Sequence, residues 1–316
     1  MRPDVKDYRQ GITSREAATR LLAHGPNELP ERKPPGLLRI FSSSSVQCRG
    51  IKATAYSANS DMYYIHSLLS LILLLVSFTS MAFGGETVTF PSEDGLLMTA
   101  EIHAPYKNGE APVIVLFHQA GSSRGEYTDI APWLNTLGYN CMAVDQRSGE
   151  TAWGIDNETA LRAEEENKPA GYISALPDIK AALAYARQHY GKDGVIAWGS
   201  SYSAALVLQV AGDSPGLVDA VLAFSPGEYF KRAGKPATWV QDAARHITVP
   251  VFITSSRNEA DGWAAIFEGI ESDQKASFIP ATEGRHGSRA LWKKYPDSGV
   301  YRSAVQDFLE RYIPAR

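Results

Sequence analysis

A serine lies between small residues where an apolar run gives way to a helical pattern. The sequence at 195–203 reads Val-Ile-Ala-Trp-Gly-Ser-Ser-Tyr-Ser, with Gly199 and Ser203 two positions to either side of Ser201. The apolar run predicts a buried strand, and a helix is predicted to begin near Tyr202. A serine at such a sharp strand-to-helix turn is held in a strained conformation that exposes its hydroxyl oxygen. Ser201 is therefore a candidate nucleophile, at a helix N-terminus that favours developing negative charge.

Two kinds of group that could activate a serine hydroxyl follow Ser201 along the chain. His286 lies in a glycine-flanked loop near the C-terminus, so it is a poor candidate for a core histidine and a better one for a general base. The loop 257–261 follows an apolar run and carries two carboxylates, Glu259 and Asp261. Either could orient an imidazole, and either could instead be an acid that favours the first turn of a helix.

The candidate residues follow predicted strands. Segments 87–90 and 96–102 predict an antiparallel pair. Continuous apolar runs predict strands covered on both faces at 113–117, 141–144, 195–198, 220–224, 251–254 and 277–279. Helical patterns lie between them, as in 173–190 and in a last helix that carries Phe308. This alternation predicts the α/β class, with a mostly parallel sheet and right-handed crossovers.

The composition excludes several kinds of protein. The chain has 316 residues, of which 44% are hydrophobic and 21% are charged, so it is neither largely disordered nor a multi-span membrane protein. A net charge of -4 gives no reason to expect a nucleic-acid partner. Two cysteines cannot form a disulfide framework, and the seven histidines show no metal-ligand spacing, so no metal is predicted. No cofactor is predicted either, because no G-x-G-x-x-G pattern follows a strand.

Residues from about 86 to 316 resemble the α/β-hydrolase superfamily, and within it the dienelactone-hydrolase-like and prolyl-oligopeptidase-like serine hydrolases. The resemblance is carried by the loop 257–261, by His286, by a strand that ends in His118, and by the pattern around Ser201. That pattern resembles the G-x-S-x-G turn of the family, with Ser203 in place of the second glycine. It implies the α/β-hydrolase fold, a twisted and mostly parallel sheet of about eight strands flanked by helices.

The resemblance also implies roles for single residues. The loop that begins at His118 resembles the family's oxyanion loop, in which Gln119 stands in a glycine position and Ala120 matches the donor position. The amides of Ala120 and Tyr202 would then receive the oxyanion, or Gln119 would donate instead if the loop is shifted by one residue. Glu259 falls where the family usually places its acid, and Asp261 is the alternate.

The function that this resemblance implies is that of a serine hydrolase. Such an enzyme cleaves a carboxylic ester, or a related acyl bond, through an acyl-enzyme intermediate. Its partner would be a small acyl substrate, and aromatic residues in the insertions 150–172 and 228–245 favour an apolar one. Two alternatives remain open, a non-catalytic binding protein with this fold and a peptidase or thioesterase. The oligomeric state is also open.

The N-terminal part of the chain contains two further zones. Residues 1–61 are predicted to be a leader or a fused fragment, and residues from about 11 to 41 resemble the N-terminal segment of cation-transporting P-type ATPases. The phosphorylation motif of those pumps, Asp-Lys-Thr-Gly-Thr, is absent from the sequence. Transport is therefore not predicted.

Residues 62–84 predict a secretory signal peptide, with Met62 as an alternative start to Met1. An apolar run at 68–78 precedes a small-residue pattern suited to cleavage. Cleavage would export residues 85–316 as a periplasmic or secreted hydrolase domain. The rival interpretation is a signal anchor over 63–83, which would tether the protein to a membrane.

Overall fold

One eight-stranded sheet runs through residues 85–315, the part of the chain that the computed structural model describes. The strands are β1 (Glu86–Pro91), β2 (Leu97–His103), β3 (Val113–Phe117), β4 (Asn140–Val144), β5 (Val195–Ser200), β6 (Ala220–Phe224), β7 (Val251–Thr254) and β8 (Lys275–Phe278). They lie in the order β1-β2-β4-β3-β5-β6-β7-β8. β1 and β2 form an antiparallel pair, β2 is also antiparallel to β4, and the other neighbours are parallel. The predicted fold class is confirmed.

Helices cover both faces of the sheet. Within the described residues they are α1 (Ile130–Thr136), α2 (Glu158–Glu165), α3 (Leu176–His189), α4 (Tyr202–Asp213), α5 (Trp239–Ala244), α6 (Ala260–Gly269) and α7 (Ser298–Tyr312). Side chains alternate along a strand, so β3 contributes to two apolar clusters. Val113, Val115 and Phe117 pack with α3 to α6, whereas Ile114 and Leu116 pack with α1 and α7. The central strands are thus covered on both sides, as their sequences predict.

The last strand differs from its prediction. The run 277–279 predicts a strand buried on both faces, and this prediction is wrong. β8 covers Lys275–Phe278, and none of its residues is fully buried. Ile279 lies beyond the strand and is 48% exposed. The physical reason is that β8 stands at the edge of the sheet, where β7 is its single partner among the described strands.

The predictions for residues 1–84 fall outside the described residues. These are the leader, its resemblance to the pump segment, and the signal peptide or anchor. Among residues 85–315, no helix is long and apolar enough to cross a membrane.

Candidate active site

The turn between β5 and α4 has the predicted strained serine. Ser201 has φ 61° and ψ -121°, a conformation that an L-residue adopts only when its surroundings impose it. The surroundings here are a hydrogen bond of 2.7 Å from the Ser201 amide to the carbonyl of Phe224 and the start of α4 at Tyr202. Gly199 is required below the turn, because a Cβ there would lie 2.5 Å from the backbone of Ala204.

Ser203 stands where the family pattern has its second glycine, and its hydroxyl group is used. Oγ accepts the amide of Ser200 at 2.8 Å and lies 2.8 Å and 3.0 Å from the carbonyl oxygens of Phe117 and His118. The side chain therefore links the C-terminal end of β5 to that of β3. These two strand ends carry the candidate nucleophile and the candidate oxyanion loop.

The structure brings Glu259 and His286 together. Nδ1 of His286 lies 2.5 Å from Oε1 of Glu259, so the imidazole donates to the carboxylate. Oε2 of Glu259 accepts the hydroxyl of Ser225 at 2.7 Å and the amide of Ser256 at 3.3 Å. Burial acts to raise the pKa of Glu259, but the hydrogen bonds from His286, Ser225 and Ser256 outweigh it and hold the pKa at about 2. Glu259 is thus a carboxylate at neutral pH.

Asp261, the alternate acid, lies elsewhere. It is in the first turn of α6 and is exposed to solvent. Within the described part of the chain, Asp261 makes no hydrogen bond with His286, whose Nδ1 is bound to Glu259. Asp261 therefore fits the interpretation of an acid that favours a helix N-terminus.

The loop that carries His286 is hydrogen-bonded to Ser225 and to Ser200, the residue before Ser201. The amide of Gly287 donates to the Ser225 hydroxyl at 2.9 Å, and the amide of Ser288 donates to the Ser200 hydroxyl at 2.9 Å. Gly287 has φ 69°, and a Cβ there would lie 2.5 Å from Ser200 Oγ, so glycine is needed on both counts. The imidazole is left partly open, with 35% of its side chain exposed.

The Ser201 hydroxyl lies beside Tyr229 in this conformation and makes no direct hydrogen bond to His286 within residues 85–315. The Tyr229 hydroxyl donates to the carbonyl of Ser225 at 2.7 Å. Burial and the charge of Glu259 raise the pKa of Tyr229 to about 12, and the contact with Ser201 acts in the opposite direction. The sequence indicates Tyr229 only as one aromatic residue of an insertion, with no sign that it contacts Ser201.

His118 is held by hydrogen bonds at the start of the candidate oxyanion loop. Its side chain is fully buried, and burial lowers its pKa to about 4, so the ring is neutral at pH 7. Nδ1 donates to the carbonyl of Gln119 at 2.7 Å, while Nε2 accepts the amide of Gln146 at 3.0 Å. The amide group of Asn157 also lies 3.1 Å from Nε2.

The backbone amides of the predicted oxyanion donors differ in whether they already donate a hydrogen bond. The amide of Gln119 donates to the Glu126 carboxylate at 2.8 Å and is therefore occupied. The amide of Ala120 has no acceptor among residues 85–315. Tyr202 is the first residue of α4, a position whose amide has no intrahelical acceptor. Of the three predicted donors, Ala120 and Tyr202 have an amide left for a substrate oxygen.

Two residues at the site have no signal in the sequence. Glu126 is fully buried in the short turn Arg124–Tyr127, and burial raises its pKa. Ser225 follows β6 with φ 55° and binds both Glu259 and the His286 loop. Neither belongs to a recognisable motif, because their importance depends on which loops meet in space. Among residues 85–315 no cluster of three His, Cys, Asp or Glu side chains could hold a metal ion.

Comparison with protein families gives two matches. Residues 110–261 match a family described as serine aminopeptidase, S33. This segment includes Ser201 and Glu259 and ends before His286. Residues 4–46 match the N-terminus of cation transporters and ATPases, which confirms the resemblance predicted for that zone. No curated protein matches the chain significantly.

Three solved structures are similar in fold to this chain. An esterase from Pyrococcus furiosus is 18% identical, with a TM-score of 0.57 over 73% of this chain and 92% of the other. A dienelactone hydrolase from Anabaena variabilis is 15% identical, with a TM-score of 0.54 over 72% of this chain and 97% of the other. Est1E from Butyrivibrio proteoclasticus, with ferulic acid bound, is 14% identical, with a TM-score of 0.54 over 72% of this chain and 99% of the other.

Proposed function

We propose, given that residues 85–315 have the α/β-hydrolase fold, that the protein is a serine hydrolase that cleaves carboxylic esters through an acyl-enzyme intermediate. Ser201 is the nucleophile, His286 the general base and Glu259 the acid that orients it. One observation carries the proposal. A strained serine and a hydrogen-bonded Glu259–His286 pair lie on loops that are hydrogen-bonded to one another at the same edge of the sheet.

The first half of the reaction forms the acyl-enzyme. Rotation of the Ser201 side chain brings Oγ from Tyr229 to Nε2 of His286, a contact that often tightens only when substrate is bound. Nε2 takes the hydroxyl proton as Oγ attacks the carbonyl carbon, and the electron pair of the C=O bond moves to oxygen. The intermediate then collapses, the ester C–O bond breaks, and the alcohol leaves with the proton from His286.

The second half of the reaction releases the acid. A water molecule gives a proton to His286 and attacks the acyl carbon, and Oγ of Ser201 leaves with that proton. Glu259 stays ionised throughout, because its pKa of about 2 is far below neutrality, and it stabilises the imidazolium in both halves.

The oxyanion is held by the amides of Ala120 and Tyr202. Tyr202 directly follows the nucleophile in the chain, and the dipole of α4 adds to its amide. Ala120 belongs to the loop that begins at His118, whose carbonyl is hydrogen-bonded to Ser203. Backbone donors in a preorganised site need no reorganisation as charge develops, which makes them effective stabilisers of a tetrahedral intermediate.

Two observations concern the substrate. The structural neighbours described as esterases favour an ester. The matching family is described as a serine aminopeptidase, which makes a peptidase acting at a free N-terminus the second candidate. The same serine chemistry serves both, so the substrate pocket and not the triad decides between them.

Labelling and substrate assays on the full chain test the proposal. A fluorophosphonate should form an adduct on Ser201, and Ser201→Ala should abolish both the adduct and the hydrolysis of p-nitrophenyl esters. A panel of rising acyl chain length, run beside aminoacyl p-nitroanilides, separates esterase from aminopeptidase. A folded wild-type protein that is neither labelled nor active on either panel would instead favour a non-catalytic binding protein.

A further inference from the structure

Glu126 has a fully buried carboxyl group at the meeting point of three loops. Oε2 accepts the amide of Gln119, in the oxyanion loop, at 2.8 Å. Oε1 accepts the hydroxyl of Ser200, in the turn of the nucleophile, at 2.7 Å. The backbone carbonyl of Glu126 accepts the indole N–H of Trp292, which follows the His286 loop, at 2.9 Å. One residue thus contacts the elements that carry the oxyanion donor, the nucleophile and the base.

Ser200 extends this contact to the base. A serine hydroxyl has one proton and two lone pairs, and the Ser200 hydroxyl donates its hydrogen bond to Glu126. A lone pair is then free to accept the amide of Ser288, two residues beyond His286, at 2.9 Å. The loop of the base is therefore bound to Glu126 through one hydroxyl group.

The carboxylate also decides which amide of the oxyanion loop is available. It occupies the amide of Gln119, while the carbonyl of Gln119 is occupied by Nδ1 of His118 at 2.7 Å. Because a peptide group is planar and trans, fixing that carbonyl points the amide of Ala120 in the opposite direction. Glu126 and His118 together fix two successive peptide planes, and the free amide is that of Ala120.

Both oxygens of Glu126 act as acceptors, which suits an ionised carboxylate. A glutamine of the same size could accept a hydrogen bond from one of the two donors, but its NH₂ group would face the other donor. If its oxygen faced the Gln119 amide, its NH₂ group would face Ser200, and the Ser200 proton would lose its acceptor. The exchange of glutamate for glutamine is thus a small change in shape with a definite cost in hydrogen bonding.

We propose that Glu126 is a positioning residue that fixes the oxyanion amide and the imidazole loop relative to Ser201. It touches neither the substrate nor the reacting atoms, and it acts through Gln119 and Ser200. This inference rests on the proposed function, since it assigns a role within the same site.

The test compares Glu126→Gln, Ser200→Ala and the double variant with the wild-type full chain. We expect Glu126→Gln to lower kcat for a p-nitrophenyl ester on the order of 10²-fold, as a misplaced catalytic group does, with KM nearly unchanged. Affinity for a trifluoromethyl ketone, which forms a tetrahedral adduct, should fall in parallel with kcat/KM. Ser200→Ala should show a smaller loss of the same kind, and the losses should not add in the double variant.

A matched control separates positioning from general stability. Asp178→Asn makes the same change of a fully buried carboxylate, but at a side chain paired with Arg147. It should lower Tm while leaving the ratio of ketone affinity to KM unchanged.

The inference is overturned if folded Glu126→Gln keeps wild-type kcat and ketone affinity. Should that variant not fold, the same result for Ser200→Ala overturns it. A wild-type protein that takes no fluorophosphonate and cleaves no ester would instead refute the proposed function.

Discussion

The hydroxyl group of Ser225 donates a hydrogen bond of 2.7 Å to Oε2 of Glu259. The same hydroxyl accepts the amide of Gly287 at 2.9 Å, next to the histidine that Glu259 binds through its other oxygen. One side chain therefore fixes the Glu259 carboxylate and the backbone of the His286 loop at once. Its geometry depends on the left-handed conformation of Ser225, with φ 55°.

Ser225→Ala should weaken both the fold and the site. The substitution leaves the backbone strain as it is, because alanine also has a Cβ, but it leaves the buried Gly287 amide without an acceptor. We expect a loss of about 1–3 kcal/mol in the free energy of unfolding, measured in urea, and a lower kcat/KM for esters. Unchanged stability together with unchanged kcat/KM would contradict the role given to this hydroxyl.

Glu259→Gln and Asp261→Asn should differ sharply, although the two carboxylates are two residues apart. Glutamine cannot accept the proton of Nδ1 with a full negative charge and can present its NH₂ group instead. We expect kcat/KM to fall on the order of 10²- to 10⁴-fold, as in other triads with a neutralised acid. Asp261→Asn is the matched control at an exposed position and should stay within about twofold of the wild type. A reversed order of the two variants would assign the acid to Asp261.

Stability should fall as the pH approaches the pKa of Glu259. The folded-state pKa of about 2 lies below the ordinary value of 4.5, so the unfolded chain binds more protons between these values. The carboxylate therefore stabilises the fold above pH 4.5, and this contribution is lost progressively as the pH falls towards 2. Urea unfolding at pH 6 and pH 3 should show a larger decrease for the wild type than for Glu259→Gln. Equal decreases would argue against the low pKa.

Gly287→Ala should cost more than its backbone conformation alone explains. A methyl group there would lie 2.5 Å from Ser200 Oγ, whereas a methyl group at Gly216, which has φ 89°, would have no atom within 4 Å. Gly216→Ala thus measures conformational strain without a clash, about 1–2 kcal/mol. We expect a larger loss in the free energy of unfolding for Gly287→Ala, and a loss of ester hydrolysis that Gly216→Ala does not share. Equal effects of the two substitutions would contradict the close contact.

Export is tested by the N-terminus of the mature protein. We propose that residues 62–84 act as a signal peptide, so a protein purified from its native compartment should begin near Gly84. N-terminal peptide mapping with mass spectrometry decides the matter. Recovery of peptides from 1–61 in the mature protein would contradict cleavage.

The sequence predicts this fold well where its signals are local. Continuous apolar runs identify β3 to β7, because a strand buried on both faces has no polar side. The same rule places the edge strand β8 too far along the chain and wrongly predicts that it is buried. A short apolar run does not reveal whether its strand lies in the middle of the sheet or at an edge. Its neighbours in the sheet decide that, and they come from distant parts of the chain.

The site divides in the same way. Ser201 and His286 are identifiable because a strand-to-helix turn and a glycine-flanked loop are visible in a single stretch of sequence. The choice between Glu259 and Asp261 depends on the fold, because both follow β7 and only the three-dimensional structure shows Glu259 bound to His286 and Asp261 exposed. Glu126 and Ser225 cannot be identified for a related reason, since each is significant only through partners that lie far away in the chain.

The hydrogen bonds of Ser203 matter for any redesign that replaces residues by the consensus of related proteins. A profile of related hydrolases would suggest glycine at this position, and the change would look like a repair. Here the hydroxyl group holds the ends of β3 and β5 together, so a glycine at this position would remove the hydrogen bonds that attach the turn of Ser201 to β3. In this protein the departure from the consensus is part of the architecture, and an engineer should leave it in place.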